Sequence, residues 1–320
     1  MKNMKITVFA DPVCTWCWGS VPVLRALEFR LAGKVEIKYV MGCMIEDITK
    51  FNNRRLGIGG DIPLSNRNMM KAWGDASVVH GMPVCTKGFR LFSEEHRSTL
   101  PQNLAYIAAT VYHHKVGGEA LCAKRFLRRL QEATAVDAAL TGDINVIADV
   151  AATVGYEPAR FKEIMESREV QRIYDEDKAL CRRYDVQTLP TFLVEYRGVE
   201  MMLRGFTSFE TLMQNISEMS YGKITLTHEE CFLPTADNVE RFIEHYRSVY
   251  PVEIATAFSL SRKGGKSALN IESYDKLPDI VEELAAAGKI SVKPRGNGFM
   301  LYCNKAAESH VTPIEEVAYS

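Results

Sequence analysis

A pair of cysteines two residues apart, in the stretch FADPVCTWCWGS, stands where a strand-like segment meets a helix-like one. No other feature restricts the fold as strongly. KITVFA (5–10) alternates Ile6, Val8 and Ala10 against Thr7 and Phe9, the period of a strand. Asp11-Pro12 breaks it, and from Trp18 onward Val21, Leu24, Leu27 and Leu31 recur at helical spacing, with Gly33 as a natural stop. VEIKYVM (35–41) reads as a second strand, so Cys14 and Cys17 fall at the turn that opens the helix of a βαβ unit.

Such a pair has four readings. Structural zinc needs four ligands, and the chain has no second CxxC; His80 and His96 carry no mark of a metal site. A structural disulfide would close a very short loop and remove little unfolded-state entropy. An inert reduced pair is the plainest reading of an arbitrary CxxC. A redox pair is favoured by position. Unpaired amides at the helix N-terminus favour an anion and so the thiolate of Cys14, while Cys17, one turn onward, can attack a mixed disulfide. The chain has eight cysteines over 320 residues, too sparse for a disulfide scaffold. Its formal charge of −1 gives no general reason to expect nucleic acid or an anionic membrane as partner. Asp11 interrupts the N-terminal apolar run before signal length, and no uncharged stretch approaches the roughly 20 residues that span a bilayer. A cytoplasmic protein without a membrane partner is expected.

After a turn-rich loop at 51–66, segments 66–77, 101–114, 119–134, 143–154, 158–166 and 168–184 carry helical patterns. Strands return at TLPTFLVEYRG (188–198) and VEMMLRG, followed by the helix pattern SFETLMQNISEM (208–219). The order is βαβ, a large all-helical insertion at about 60–184, then ββα. Beyond the connector 221–237, helices at 239–249, 251–261 and 273–288 precede KISVKP and GFMLYC, joined by RGNG. This predicts an α/β fold with a small C-terminal winged-helix-like α+β module, divided at 1–225 and 235–320.

The strand–CxxC–helix unit, the helical insertion and then QTLPTFLV resemble the thioredoxin-fold superfamily, and the insertion resembles its DsbA-like branch. DPVCTWCWG is similar to cytoplasmic FrnE-like and 2-hydroxychromene-2-carboxylate-isomerase-like proteins. The resemblance covers roughly residues 4–220 and implies a thiol–disulfide oxidoreductase acting on protein or small-molecule thiols. In that scheme Cys14 is the nucleophile, Cys17 resolves, and Pro190 forms a cis bond facing them. Leu189 and Thr191 meet an extended substrate, and Trp16 and Trp18 frame an apolar platform. No cofactor is needed, and glutathione is a candidate co-substrate. Trp16 stands where strongly oxidising relatives carry histidine, and Val8 where many carry a buried carboxylate, which implies a more reducing pair. Two alternatives stay open: a glutathione-dependent isomerase or transferase, and a non-catalytic adaptor that holds a client.

Residues 231–320 contain ten basic and twelve acidic residues, and the third helix pattern carries Asp275, Asp279, Glu282 and Glu283. That disfavours DNA as the module's partner. Arg262, Lys263 and Lys266 read as a solvated loop, and packing on the first domain, homodimerisation or partner selection are the remaining roles. GIGG (57–60) lacks the rest of a phosphate-loop fingerprint, and HEECF (228–232) lacks the second histidine of a metalloprotease helix.

Overall fold

A computed structural model describes residues 4–116, 121–226, 230–264 and 267–305. The segment β1 (Met4–Ala10) pairs in parallel with β2 (Val35–Met41), Ile6 lying opposite Ile37 and Val8 opposite Tyr39. On its other side β1 meets β3 (Thr191–Tyr196) antiparallel, and β4 (Val199–Arg204) completes the sheet in the order β2-β1-β3-β4. The central strands are the most apolar because they are covered on both faces; β4 lies at the edge and is largely exposed.

Two short helices, α1 (Thr15–Gly19) and α2 (Val21–Arg30), connect β1 to β2. They would be one helix but for Pro22, which has no N–H to give the Trp18 carbonyl. Ser20 occupies the break, its N–H bonding Cys17 O at 3.2 Å and its hydroxyl donating to Trp16 O at 2.9 Å.

Six helices fill the space in sequence between β2 and β3: α3 (Ile62–His80), α4 (Leu100–Val116), α5 (Leu121–Ala135), α6 (Ile144–Ala152), α7 (Pro158–Met165) and α8 (Arg168–Arg183). The first begins earlier than its apolar pattern predicts because Asp61 accepts the Leu64 N–H at 2.6 Å, and it ends where Gly81 turns left-handed at φ 76°. Phe126, Tyr156 and Phe161 form a ring cluster at the centre of the insertion, with centroids 5.1–5.7 Å apart. After β4, α9 (Phe209–Met219) is capped by Ser208 and packs near α2.

The C-terminal module follows the order α10 (Ala236–Tyr246), β5 (Ser248–Val249), α11 (Pro251–Ala257), α12 (Leu277–Ala286), β6 (Ile290–Arg295) and β7 (Gly298–Cys303). Its antiparallel sheet runs β5-β7-β6, a winged-helix-like arrangement. The last helix starts at Leu277 with Pro278 in its first turn, later than its pattern suggested. Asp279, Glu282 and Glu283 are exposed on it, while Asp275 precedes it. Lys266, residues 228 and 229 of HEECF, and residues 306–320 lie outside the described residues.

This module shares its core with the first domain. Phe29 of α2 meets Phe232, Phe242 and Phe258 with centroids 5.0–5.4 Å apart, and Arg30 donates to Ala257 O at 3.1 Å. The β6–β7 turn is pressed against the loop after α3. A Cβ on Gly296 would sit 2.5 Å from Val84 O, so only glycine fits. Asn297 then exchanges two bonds with Val84, at 2.9 and 3.0 Å, and donates to Ser77 Oγ at 2.9 Å. Among the described residues no helix is long and apolar enough to cross a membrane.

Candidate functional site

The cysteines sit at the C-terminal end of β1. Cys14 is the N-cap of α1 in extended geometry, but its side chain makes no capping bond to the helix amides. Its Sγ donates instead to Leu189 O at 3.6 Å, across the sheet. The Leu189–Pro190 peptide is cis. Both cysteines are free thiols and each is only 4% exposed. Burial, with the hydrogen-bonded Cys14 thiol alongside, holds the Cys17 thiol well above its ordinary value. The dipole available at the mouth of α1 comes from only five residues before the break at Ser20.

Beneath the pair lies Asp11, fully buried. It stands one residue past β1, outside the strand as its neighbour Pro12 implied, yet it supplies a buried carboxylate where the sequence comparison at Val8 found none. Oδ1 accepts from Val13 N at 2.9 Å. Oδ2 accepts from Met44 N at 2.6 Å, Thr99 Oγ1 at 2.7 Å and Asn103 Nδ2 at 3.1 Å. Desolvation outweighs these bonds and raises the carboxyl above its ordinary range. The Asp11 backbone also hydrogen-bonds the Cys17 sulfur, so this residue organises the loop under the pair.

His80 closes the other side. A Cβ on Gly19 would lie 2.5 Å from the imidazole, so α1 carries glycine where the ring packs. Nδ1 accepts from Met82 N at 3.1 Å, which leaves Nε2 to donate to Thr15 Oγ1 at 3.4 Å. Burial pushes His80 down to about 3, so it is neutral near pH 7. Its ring meets Trp16 edge-on at 5.8 Å, and Phe206 lies 5.7 Å from Trp16. Sequence reasoning dismissed His80 as a metal ligand and passed over Phe206, because nothing local to them refers to the cysteines, and it read Asp11, three residues before Cys14, as a strand break. The one available signal was Gly19, a glycine inside the CTWCWG turn.

The structure brings Cys14, Cys17, Trp16, Leu189 and Pro190 together. Trp18 points elsewhere: it is 1% exposed, donates to Pro83 O at 2.8 Å and lies under Arg128, whose guanidinium carbon is 4.4 Å from the ring centroid. Its bulk is spent on the core, in place of the platform expected for it. Thr191 is buried too, its hydroxyl donating to Thr188 O at 2.7 Å and so shaping the proline loop. A groove of about 550 Å³ opens beside Leu189, lined by Gly42, Met44, Lys178, Arg182 and Gln187 among others. Among the described residues no group of three or more His, Cys, Asp or Glu side chains is placed to hold a metal ion.

The profile of the Thioredoxin family matches residues 7–214, well over half of the chain. The chain belongs to the thioredoxin family. Within that fold, a large helical insertion separates β2 from β3. A Nitrosomonas europaea protein provisionally assigned as a protein disulfide isomerase superposes with a TM-score of 0.57 at 16% identity, over 70% of this chain and 100% of its own. A Streptomyces coelicolor protein provisionally assigned as a DsbA oxidoreductase gives 0.50 at 13% identity, over 71% and 94%. These two likenesses speak to the fold.

The curated relatives point to a different function. The ClpXP adapter protein SpxH of Bacillus subtilis is 23% identical over 81% of this chain and 80% of its own length. SpxH of Halalkalibacterium halodurans is 22% identical over 81% and 79%. The expectation of an oxidoreductase of the DsbA family with a redox-active disulfide is corrected by these matches, which are named as adapters. The burial of Cys14, the expected nucleophile, agrees with the correction, because an attacking thiolate needs access and this sulfur is 4% exposed.

Proposed function

We propose that this protein is an adapter that binds a client protein and hands it to a ClpXP-type protease, using the thioredoxin fold as a docking scaffold. The observation that carries the reading is the extent of the match to the SpxH proteins. At 81% of the chain it must run past residue 214, so the likeness extends beyond the part that the thioredoxin family accounts for. An adapter needs two contact surfaces, and residues 1–225 and 235–320 offer one each. On the first, Trp16 and Phe206 form an apolar rim, and Leu189, before the cis proline, offers its backbone N–H to an extended client segment. Cys14 and Cys17 act there as small buried side chains that shape the surface. Glutathione, with its carboxylates, suits the groove beside Lys178 and Arg182 as a ligand only. A cytoplasmic location goes with this role.

Proteome turnover tests the proposal. Proteins that accumulate when this gene is deleted should overlap those that accumulate when ClpX is deleted. Returning the Cys14→Ser, Cys17→Ser double variant should restore their turnover to the wild-type rate. A double variant that keeps the wild-type melting temperature yet restores no turnover would refute the adapter reading.

A further inference from the structure

Where α2, α5 and α10 meet, cations outnumber carboxylates. A cavity of about 60 Å³ lies at this junction, lined by Arg25, Glu28, Lys124, Arg125, His245 and Tyr246 among others. Most of its charges are matched. Arg25 holds Glu253 at 2.7 Å, Lys124 pairs with Glu28, and Arg128 reaches Glu132 and Glu253 at 3.3 Å each. Arg129 and Arg295 share Glu132 and Asp137 further along the same network. Arg125 is the exception. Its Nη2 is sealed from solvent and has no hydrogen-bond partner among the described residues. A buried guanidinium N–H without an acceptor is costly, so the arrangement calls for an acceptor from outside the chain. His245 reports the same imbalance: burial, then Arg125 and Arg25 beside it, push it down to about 4.

We propose that this cavity is a binding site for a small free oxyanion such as inorganic phosphate, gripped by Arg125 with Arg25 beside it. Size and charge select this class. At about 30 Å³ per water, the space takes about two waters or one tetrahedral anion, and it is too small for a peptide. The planar fork of arginine suits two oxygens of one anion. Glu28 does not oppose the anion, because Lys124 already neutralises it. The anion would touch the thioredoxin core through α2, the insertion through α5 and the C-terminal module through α10, and so would bridge all three.

Isothermal calorimetry with sodium phosphate, against sodium chloride at matched ionic strength, tests the site on the full chain. Saturable one-to-one binding is the expected result, with Arg125→Gln weakening it by at least about tenfold. Arg129→Gln removes a cation from the same network away from the cavity and should bind as wild type does. His245 ring resonances should shift with phosphate in the wild type and stay still in Arg125→Gln. Saturation is the readout because phosphate stabilises most proteins non-specifically. If Arg125→Gln does not fold, Arg125→Lys keeps the charge, loses the fork and should still bind measurably more weakly. Absence of saturation in the wild type overturns the proposal, since the cavity then holds water. Undiminished binding by the folded Arg125 variant, with His245 unmoved, overturns it equally.

Discussion

Asp11 under the cysteines and Glu253 at the module junction are both fully buried carboxylates, and they are driven in opposite directions. Asp11 accepts four hydrogen bonds, from two backbone amides, a hydroxyl and a carboxamide, and burial still raises it. Burial would raise Glu253 too, but Arg25 and Arg128 overrule it and hold it below the usual carboxylate range. Neutral donors therefore do not offset desolvation here, and two guanidiniums do. The difference separates two uses of buried polarity. At the cysteine corner hydrogen bonds fix a loop. At the junction formal charge ties the C-terminal module to the rest.

The largest test breaks the junction. Glu253→Gln removes the carboxylate paired with Arg25, leaves Arg128 with Glu132 alone among the described residues and weakens the acceptor for Tyr250 N, so it should cost about 3–5 kcal/mol in urea unfolding. Asp11→Ala should cost less, about 2–3 kcal/mol, because four donors lose their acceptor while the desolvated carboxyl is removed with them. A loss as large as that of Glu253→Gln would erase the distinction.

Acid titration sharpens it further. Asp177 on α8 is half-buried and, like Asp11, bonded to a backbone amide, Met41 N at 2.8 Å, and burial pushes it up to about 6 from an ordinary 3.8. Between those values the unfolded chain has lost the proton and the folded protein keeps it, so the Asp177 contribution to stability falls as pH rises through the window. Asp177→Asn keeps the amide acceptor and should flatten that slope. Glu253 runs the other way. Its contribution is complete above the unfolded value of 4.5 and is lost as pH falls through its lower folded value. The smallest effect is expected from Trp18→Phe, which loses the bond to Pro83 O and part of the Arg128 stacking, at about 1 kcal/mol by thermal or urea unfolding.

Much of the architecture was legible in the chain. Alternation at 5–10, helical spacing across the insertion and the glycine-tipped hairpin at 290–303 are local patterns, and each encodes an element directly. The CxxC and Leu189-Pro190 motifs were recognisable as partners although the sulfur-to-carbonyl contact spans 175 residues. Trp18 was not legible as a core anchor, since a tryptophan beside a motif looks the same whether it faces solvent or interior. Activity was misread for a related reason. CxxC spacing records that two thiols can meet, not whether either can be reached.

The sequence by itself determined the order of strands and helices, because periodicity and turn chemistry act over a few residues; that the two motifs meet was implied by the family resemblance. Tertiary structure alone decided that the thiols are buried, that His80 and Asp11 flank them, and that Glu253 finds Arg25 from 228 positions away. Desolvation and Coulomb pairing depend on distance in space, and no local pattern carries that distance.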